Sequence, residues 1–141
     1  MGAPSIEDWI KINDLFTRYA TALDHGEVET IVGCFTEDAV VESPVMGSFK
    51  GAAAIREFAE RNAKLRLSGP QMRHFVSNVQ MDIEGSRATA SCYLLNFMTK
   101  DGKTELLAPG EYRCRLAKAD GQWRFEYRLV MLDQQVVVDG R

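Results

Sequence analysis

After Gly69-Pro70 the hydrophobic period of this chain changes from helical to twofold, and that change constrains its fold more than any other feature. Residues 71–83, 87–100, 104–118 and 122–138 read as four long alternating strands. The connections Glu84-Gly85-Ser86, Asp101-Gly102 and Asp120-Gly121 carry hairpin turn chemistry. Ahead of the switch, Ile6, Trp9, Ile12, Phe16, Tyr19, Ala20 and Leu23 recur at helical spacing. Ser5 reads as the N-cap, with Asp8 in the capping-box position, and Gly26 as a left-handed C-terminal cap. The first helix is therefore expected from about Ile6 to about Asp24. A short second helix is expected over about Val28 to Phe35, broken by Thr36-Glu37-Asp38. Ala39-Val40-Val41-Glu42 starts the first strand, Pro44 and Gly47 bound a turn, and a third helix is expected over about Ala52 to Leu65. Helices first and an antiparallel meander afterwards predict an α+β fold, and 141 residues fit one domain.

Charge and cysteine content exclude several function classes. A net charge of −3 from 17 basic and 20 acidic residues leaves no electrostatic footprint for nucleic acid or an anionic membrane surface. Cys34, Cys92 and Cys114 are odd in number and show no C-x-x-C spacing, so buried reduced thiols are expected, with no disulfide framework and no metal site. The N-terminal MGAPSIEDW has no basic region followed by an apolar run, and Ile6 stands where a myristoylation motif wants Ser or Thr. No apolar stretch approaches the roughly 20 residues that span a bilayer, so a cytoplasmic protein is expected. No glycine-rich phosphate loop, G-x-S-x-G elbow or H-E-x-x-H motif is present.

Candidate functional residues are those that break a local rule. Asp24 places a carboxylate at the negative end of the first helix dipole, on the inward stripe after Phe16 and Ala20. An exposed Asp in an Asp-His-Gly turn is the alternative. Around His74 the apolar parity changes: Met72 and Val76 share its face, whereas Val79, Met81 and Ile83 have the other parity. Such a shift predicts a β-bulge or sharp twist with His74 inward, as a functional group or as a core histidine bonded to backbone. Asn96 interrupts the small apolar face of Ala88, Ala90, Cys92, Leu94 and Met98, and needs a hydrogen-bond partner from a strand or a ligand. Arg128 has the parity opposite to Trp123 and Phe125, which suits a surface arginine, but residues 129–132 are apolar on both parities and do not decide it. His25 reads as a solvated turn residue, and Glu7, Asp8, Glu37, Asp38 and Glu42 as mostly solvated carboxylates.

These residues, in their order, resemble the SnoaL-like branch of the NTF2-like superfamily. The resemblance rests on Ile12-Asn13-Asp14-Leu15-Phe16, Tyr19-Ala20, Leu23-Asp24-His25-Gly26 and Cys34-Phe35-Thr36-Glu37-Asp38-Ala39. Gly51, Arg73-His74-Phe75-Val76-Ser77-Asn78 and Gly121-Gln122-Trp123-Arg124-Phe125 extend it over nearly the whole chain. It implies a cone in which three N-terminal helices pack on a curved, mostly antiparallel sheet that encloses a pocket. The fold serves many reactions. The functional likeness is to scytalone dehydratase, bile-acid 7α-dehydratase and hexachlorocyclohexane dehydrochlorinase, where an Asp late in the first helix pairs with a strand His that acts as base. Asp24 and His74 match those positions, and Tyr19 looks like the tyrosine of the bile-acid enzyme. The dehydrochlorinase has a lysine at about that place, which argues against dehalogenation here.

The resemblance implies a lyase of the dehydratase type that needs no metal or organic cofactor. His74, Asp24 and Tyr19 are its catalytic candidates, and Asn96 and Arg128 orient the substrate. Met72, Val76, Leu94, Met98, Phe16 and Trp9 are expected to wall the pocket, implying a small apolar, aromatic or polycyclic substrate. An isomerase or a polyketide-cyclase-type enzyme with the same pair, or a ligand-binding module without catalysis, are the alternatives. A homodimer or homotrimer is expected from the resemblance, with Tyr93, Leu95 and Phe97 on the outer sheet face at the contact.

Overall fold

The computed structural model describes residues 5–133. The first helix, α1 (Ile6–His25), begins where Ser5 Oγ accepts from the Asp8 amide at 3.0 Å. It ends at Gly26, whose φ of 69° provides the left-handed cap expected of it. Its stripe of Ile12, Leu15, Phe16, Tyr19 and Leu23 is buried. The second helix, α2, is shorter than expected, Val28–Gly33, because strand β1 (Phe35–Ser43) starts at Phe35 and takes in Thr36-Glu37-Asp38. The reason is tertiary: β1 pairs in parallel with the last strand, Phe35 opposite Phe125, which supplies hydrogen bonds that local propensity ignores. The Pro44–Gly47 turn returns the chain as a short strand, β2 (Gly47–Lys50), that the sequence reading omitted. The third helix is α3 (Ala52–Leu67).

The meander follows as β3 (Gln71–Glu84), β4 (Arg87–Lys100), β5 (Lys103–Ala119) and β6 (Gln122–Leu132), so the expected strands hold to within a few residues. The part of the last expected strand beyond Asp133 lies outside the described residues. Asp101-Gly102 and Asp120-Gly121 both have positive φ at their two positions, as a type I′ hairpin turn requires. Among the described residues one six-stranded sheet results, in the order β2-β1-β6-β5-β4-β3, curved and unclosed, with only the β1–β6 pair parallel. The helices cover its concave face, where Phe16, Tyr19, Phe35 and Phe125 pack edge to face or tilted with centroids 5.2 to 5.5 Å apart. No helix among the described residues is long and apolar enough to cross a membrane.

Three irregularities in the antiparallel pairings shape the concave face, beside a register shift between Phe35 and Val40 in the parallel β1–β6 pair. In β3 the register shifts between Ser77 and Gln80, with Asn78 at φ 54°, so inward parity passes from Met72, His74 and Val76 to Val79, Met81 and Ile83. This is the bulge that the parity change around His74 predicts. In β5 Leu107 is skipped between the partners of Asn96 and Phe97. In β6 Glu126 is skipped between the partners of Leu116 and Arg115. That extra residue reverses the parity set by Trp123 and Phe125 and turns Arg128 inward. On the outer face Tyr93 and Leu95 are exposed and Phe97 is half-buried.

Candidate functional site

α1 delivers Asp24 to the outer edge of β3, which is an edge strand of the sheet. His74 and Asn96 are paired across β3 and β4, and the His74 amide donates to Asp24 instead, at 3.0 Å to Oδ1 and 3.1 Å to Oδ2. The Asp24 carboxylate thereby satisfies an edge amide that otherwise stands open to a foreign strand. The same carboxylate meets the His74 ring, Nδ1 to Oδ1 at 2.6 Å. Gln71 Nε2 donates to the Asp24 carbonyl at 2.9 Å, and Asn62 Nδ2 to the Leu23 carbonyl at 2.8 Å, so the end of α1 is tied down on both sides. The two side chains are 8% and 10% exposed, which decides against a solvated turn aspartate.

A carboxylate at this distance fixes the hydrogen on Nδ1, and Nε2, which has no partner among the described residues, presents its lone pair. His25, next in sequence to Asp24, is exposed and donates from Nδ1 to the Thr21 carbonyl, as a turn residue should. The carboxylates expected to be solvated divide. Asp8 accepts from Trp123 Nε1 and Lys118 Nζ, and Glu42 accepts from the Tyr127 hydroxyl.

Deeper on the concave face, Tyr19 and Arg128 are buried together. Arg128, 2% exposed, lies with its guanidinium carbon 4.6 Å from the Tyr19 ring centre and 3.7 Å from that of Tyr112. The surface placement that parity with Trp123 suggests is therefore corrected, and the Glu126 bulge is the cause. Desolvating such a cation costs several kcal/mol, and each aromatic face returns about 2 kcal/mol. Burial opposes the charge, but the Tyr19 and Tyr112 phenols and the Cys114 thiol beside it hold Arg128 above its ordinary range, so it stays charged. The Tyr19 phenol is pushed up by burial, as is that of Tyr112. Burial also raises the Cys92 thiol to about 11 and the Cys114 thiol to about 12.

Four of the five buried side-chain atoms without a hydrogen-bond partner among the described residues face the concave side: Tyr19 Oη and Arg128 Nε and Nη1 in this cluster, and Asn96 Oδ1 on the row of His74. Met72 and Leu94 are buried on the same face, and Val76 and Met98 are half-buried toward its open end. Phe16 is in the aromatic core, against Phe125. Trp9 is 51% exposed and does not wall a pocket. It sits in the helical stripe, but near the N-terminus of α1, where the Asp8–Trp123 contact fills the place between helix and sheet. Sequence reasoning missed Tyr112, Cys92 and Cys114 around Arg128. Their shared inward parity with Leu116 and Leu94 was the available signal. Among the described residues no group of three metal-ligating side chains occurs.

A helix-covered, unclosed mixed sheet carrying a buried imidazole–carboxylate pair on its concave face defines an NTF2-like, cystatin-like cone. The chain belongs to the family of the SnoaL-like domain, whose model matches residues 4–129. Among solved structures it is similar to a protein of unknown function from Mycobacterium tuberculosis, at 30% identity over 92% of this chain and 78% of that one, with a TM-score of 0.83. An NTF2-like protein with a cystatin-like fold from Novosphingobium aromaticivorans matches at 25% identity over 96% and 85%, TM-score 0.80. A candidate scytalone dehydratase from the same organism matches in fold, at 22% identity over 95% and 94%, TM-score 0.79.

Proposed function

We propose that the protein is a cofactor-independent lyase that eliminates water from a small apolar substrate, with His74 as base. The carrying observation is the 2.6 Å contact of Asp24 with His74 Nδ1, which leaves Nε2 as the basic atom. His74 Nε2 takes a proton from a carbon acidified by a neighbouring carbonyl. The C–H electron pair becomes the new double bond, and the C–O bond to the leaving hydroxyl breaks. Asp24 stabilises the imidazolium formed in between. The Tyr19 phenol, held protonated by burial, serves as a hydrogen-bond donor to the substrate oxygen. The proton that completes water therefore comes back from the His74 imidazolium. Asn96 and Arg128 orient the substrate. The candidate scytalone dehydratase from Novosphingobium aromaticivorans shares this fold, which supports the dehydratase reading.

The test is incubation with aromatic and polycyclic β-hydroxy ketones in deuterium oxide, read by mass spectrometry. Wild-type protein should release water and form the unsaturated ketone, and folded His74→Ala should not. Deuterium uptake with a product isomeric with the substrate assigns an isomerase using the same base. Turnover that persists in His74→Ala removes His74 from the mechanism.

A further inference from the structure

We propose that the concave face takes an elongated organic anion, whose carboxylate pairs with the buried Arg128 guanidinium. Arg128 is a permanent cation with no carboxylate within ion-pair distance among the described residues, and its Nε and Nη1 both lack a hydrogen-bond partner. The groups that touch it, Tyr19, Tyr112 and the nearby Cys114, are neutral at physiological pH. Aromatic faces soften the burial of a guanidinium but satisfy none of its N–H donors, which lie in its plane. The planar guanidinium of Arg matches a carboxylate in two parallel hydrogen bonds, from Nη2 together with Nε on one edge or with Nη1 on the other, so each vacant donor belongs to one of the two edges such a carboxylate engages.

The strand register sets the shape of the ligand. Tyr112 pairs with Cys92 and Val130, two inward rows from the row of His74 and Asn96. Successive inward rows are about 6.6–6.8 Å apart, so the backbone of Tyr112, whose ring carries the guanidinium, stands on the order of 13 Å along the strands from the row of His74 and Asn96. At the His74 end Asn96 Oδ1 waits for a donor, which a substrate hydroxyl supplies. A molecule that serves both ends has the length of two or three fused or linked rings, with an acid at one end and a hydroxyl at the other. The placement of the reacting end at His74 rests on the proposed function, whereas the placement of the acid at Arg128 does not.

The experiment compares biphenyl carboxylate with biphenyl carboxamide by titration calorimetry on the full chain. Wild type and His74→Ala should both bind the carboxylate about tenfold more tightly than the amide. Arg128→Met should lose that preference while keeping or raising the thermal midpoint of the empty protein, since it removes an uncompensated buried charge. Arg128→Lys, which keeps the charge without the fork, should retain part of the preference. Equal affinity for acid and amide in the wild type, no binding of either at millimolar concentration, or an undiminished preference in Arg128→Met overturns the proposal. Carboxylate selectivity in a protein without dehydratase turnover would sink the proposed reaction and leave the anion site standing.

Discussion

One carboxylate, that of Asp24, holds a single residue fifty positions away by both its backbone and its ring: the His74 amide at 3.0 and 3.1 Å and the imidazole Nδ1 at 2.6 Å. The contact that orients the proposed base is therefore also the contact that fastens the end of α1 to the edge of β3. Position and chemistry are coupled in one side chain.

That coupling makes the two partners unequal on substitution. Asp24→Ala leaves the edge amide and the ring unpaired and should lower stability by about 1.5–3 kcal/mol, the range for hydrogen bonds to a charged group. His74→Ala keeps the amide bond to Asp24 and should cost clearly less. Urea unfolding of both variants checks this, and equal losses would mean that the amide contact contributes nothing.

Gly26 is fixed by two constraints at once. Its φ is 69°, and a Cβ there would stand 3.1 Å from the Ala63 backbone of α3. Gly26→Ala should destabilise by about 1–2 kcal/mol, adding left-handed strain to close contact. Unchanged thermal unfolding of this variant would show that the helix end relaxes freely.

Asp8 anchors the start of α1 to the β5–β6 hairpin through Trp123 and Lys118, and the Trp123 hydrogen bond, with Lys118 second, holds its carboxyl below the ordinary range. A depressed carboxylate contributes stability above its unfolded pKa of 3.8 and loses it as pH falls through the lower folded value. Asp8→Asn should cost a few tenths to about 1 kcal/mol at neutral pH and make the acid limb of the stability curve shallower. Urea midpoints at neutral and acid pH measure both.

At the alkaline end the buried thiols act in the opposite sense. Cys92 and Cys114 keep their protons to about 11 and about 12 when folded but ionise near 9.0 when unfolded. Their contribution is complete below pH 9.0 and declines as pH rises toward those folded values, by about 1.4 kcal/mol per pH unit for each thiol. The Cys92→Ala, Cys114→Ala double variant should show a shallower loss in denaturant titrations above that pH. An unchanged slope would exclude the thiols as its source.

The α+β order, the three helices, the hairpins of the meander and even the β3 bulge were legible because each follows from local chemistry: caps, period, Asp-Gly turns and a parity change within one strand. Asp24 and His74 stood out because each violates its own element's pattern, and the resemblance of the surrounding motifs brought them together.

What the sequence determined by itself was the set of elements and the residues that do not fit them. Only the tertiary structure decided that β1 begins at Phe35, that Trp9 faces outward, and that Arg128 is buried between two tyrosines. The physical reason is common to the three. A strand's start, a helix end's coverage and the parity beyond a bulge depend on the partner opposite, here β6, β5 and α1, and a partner distant in the chain leaves no periodic trace in the segment it directs.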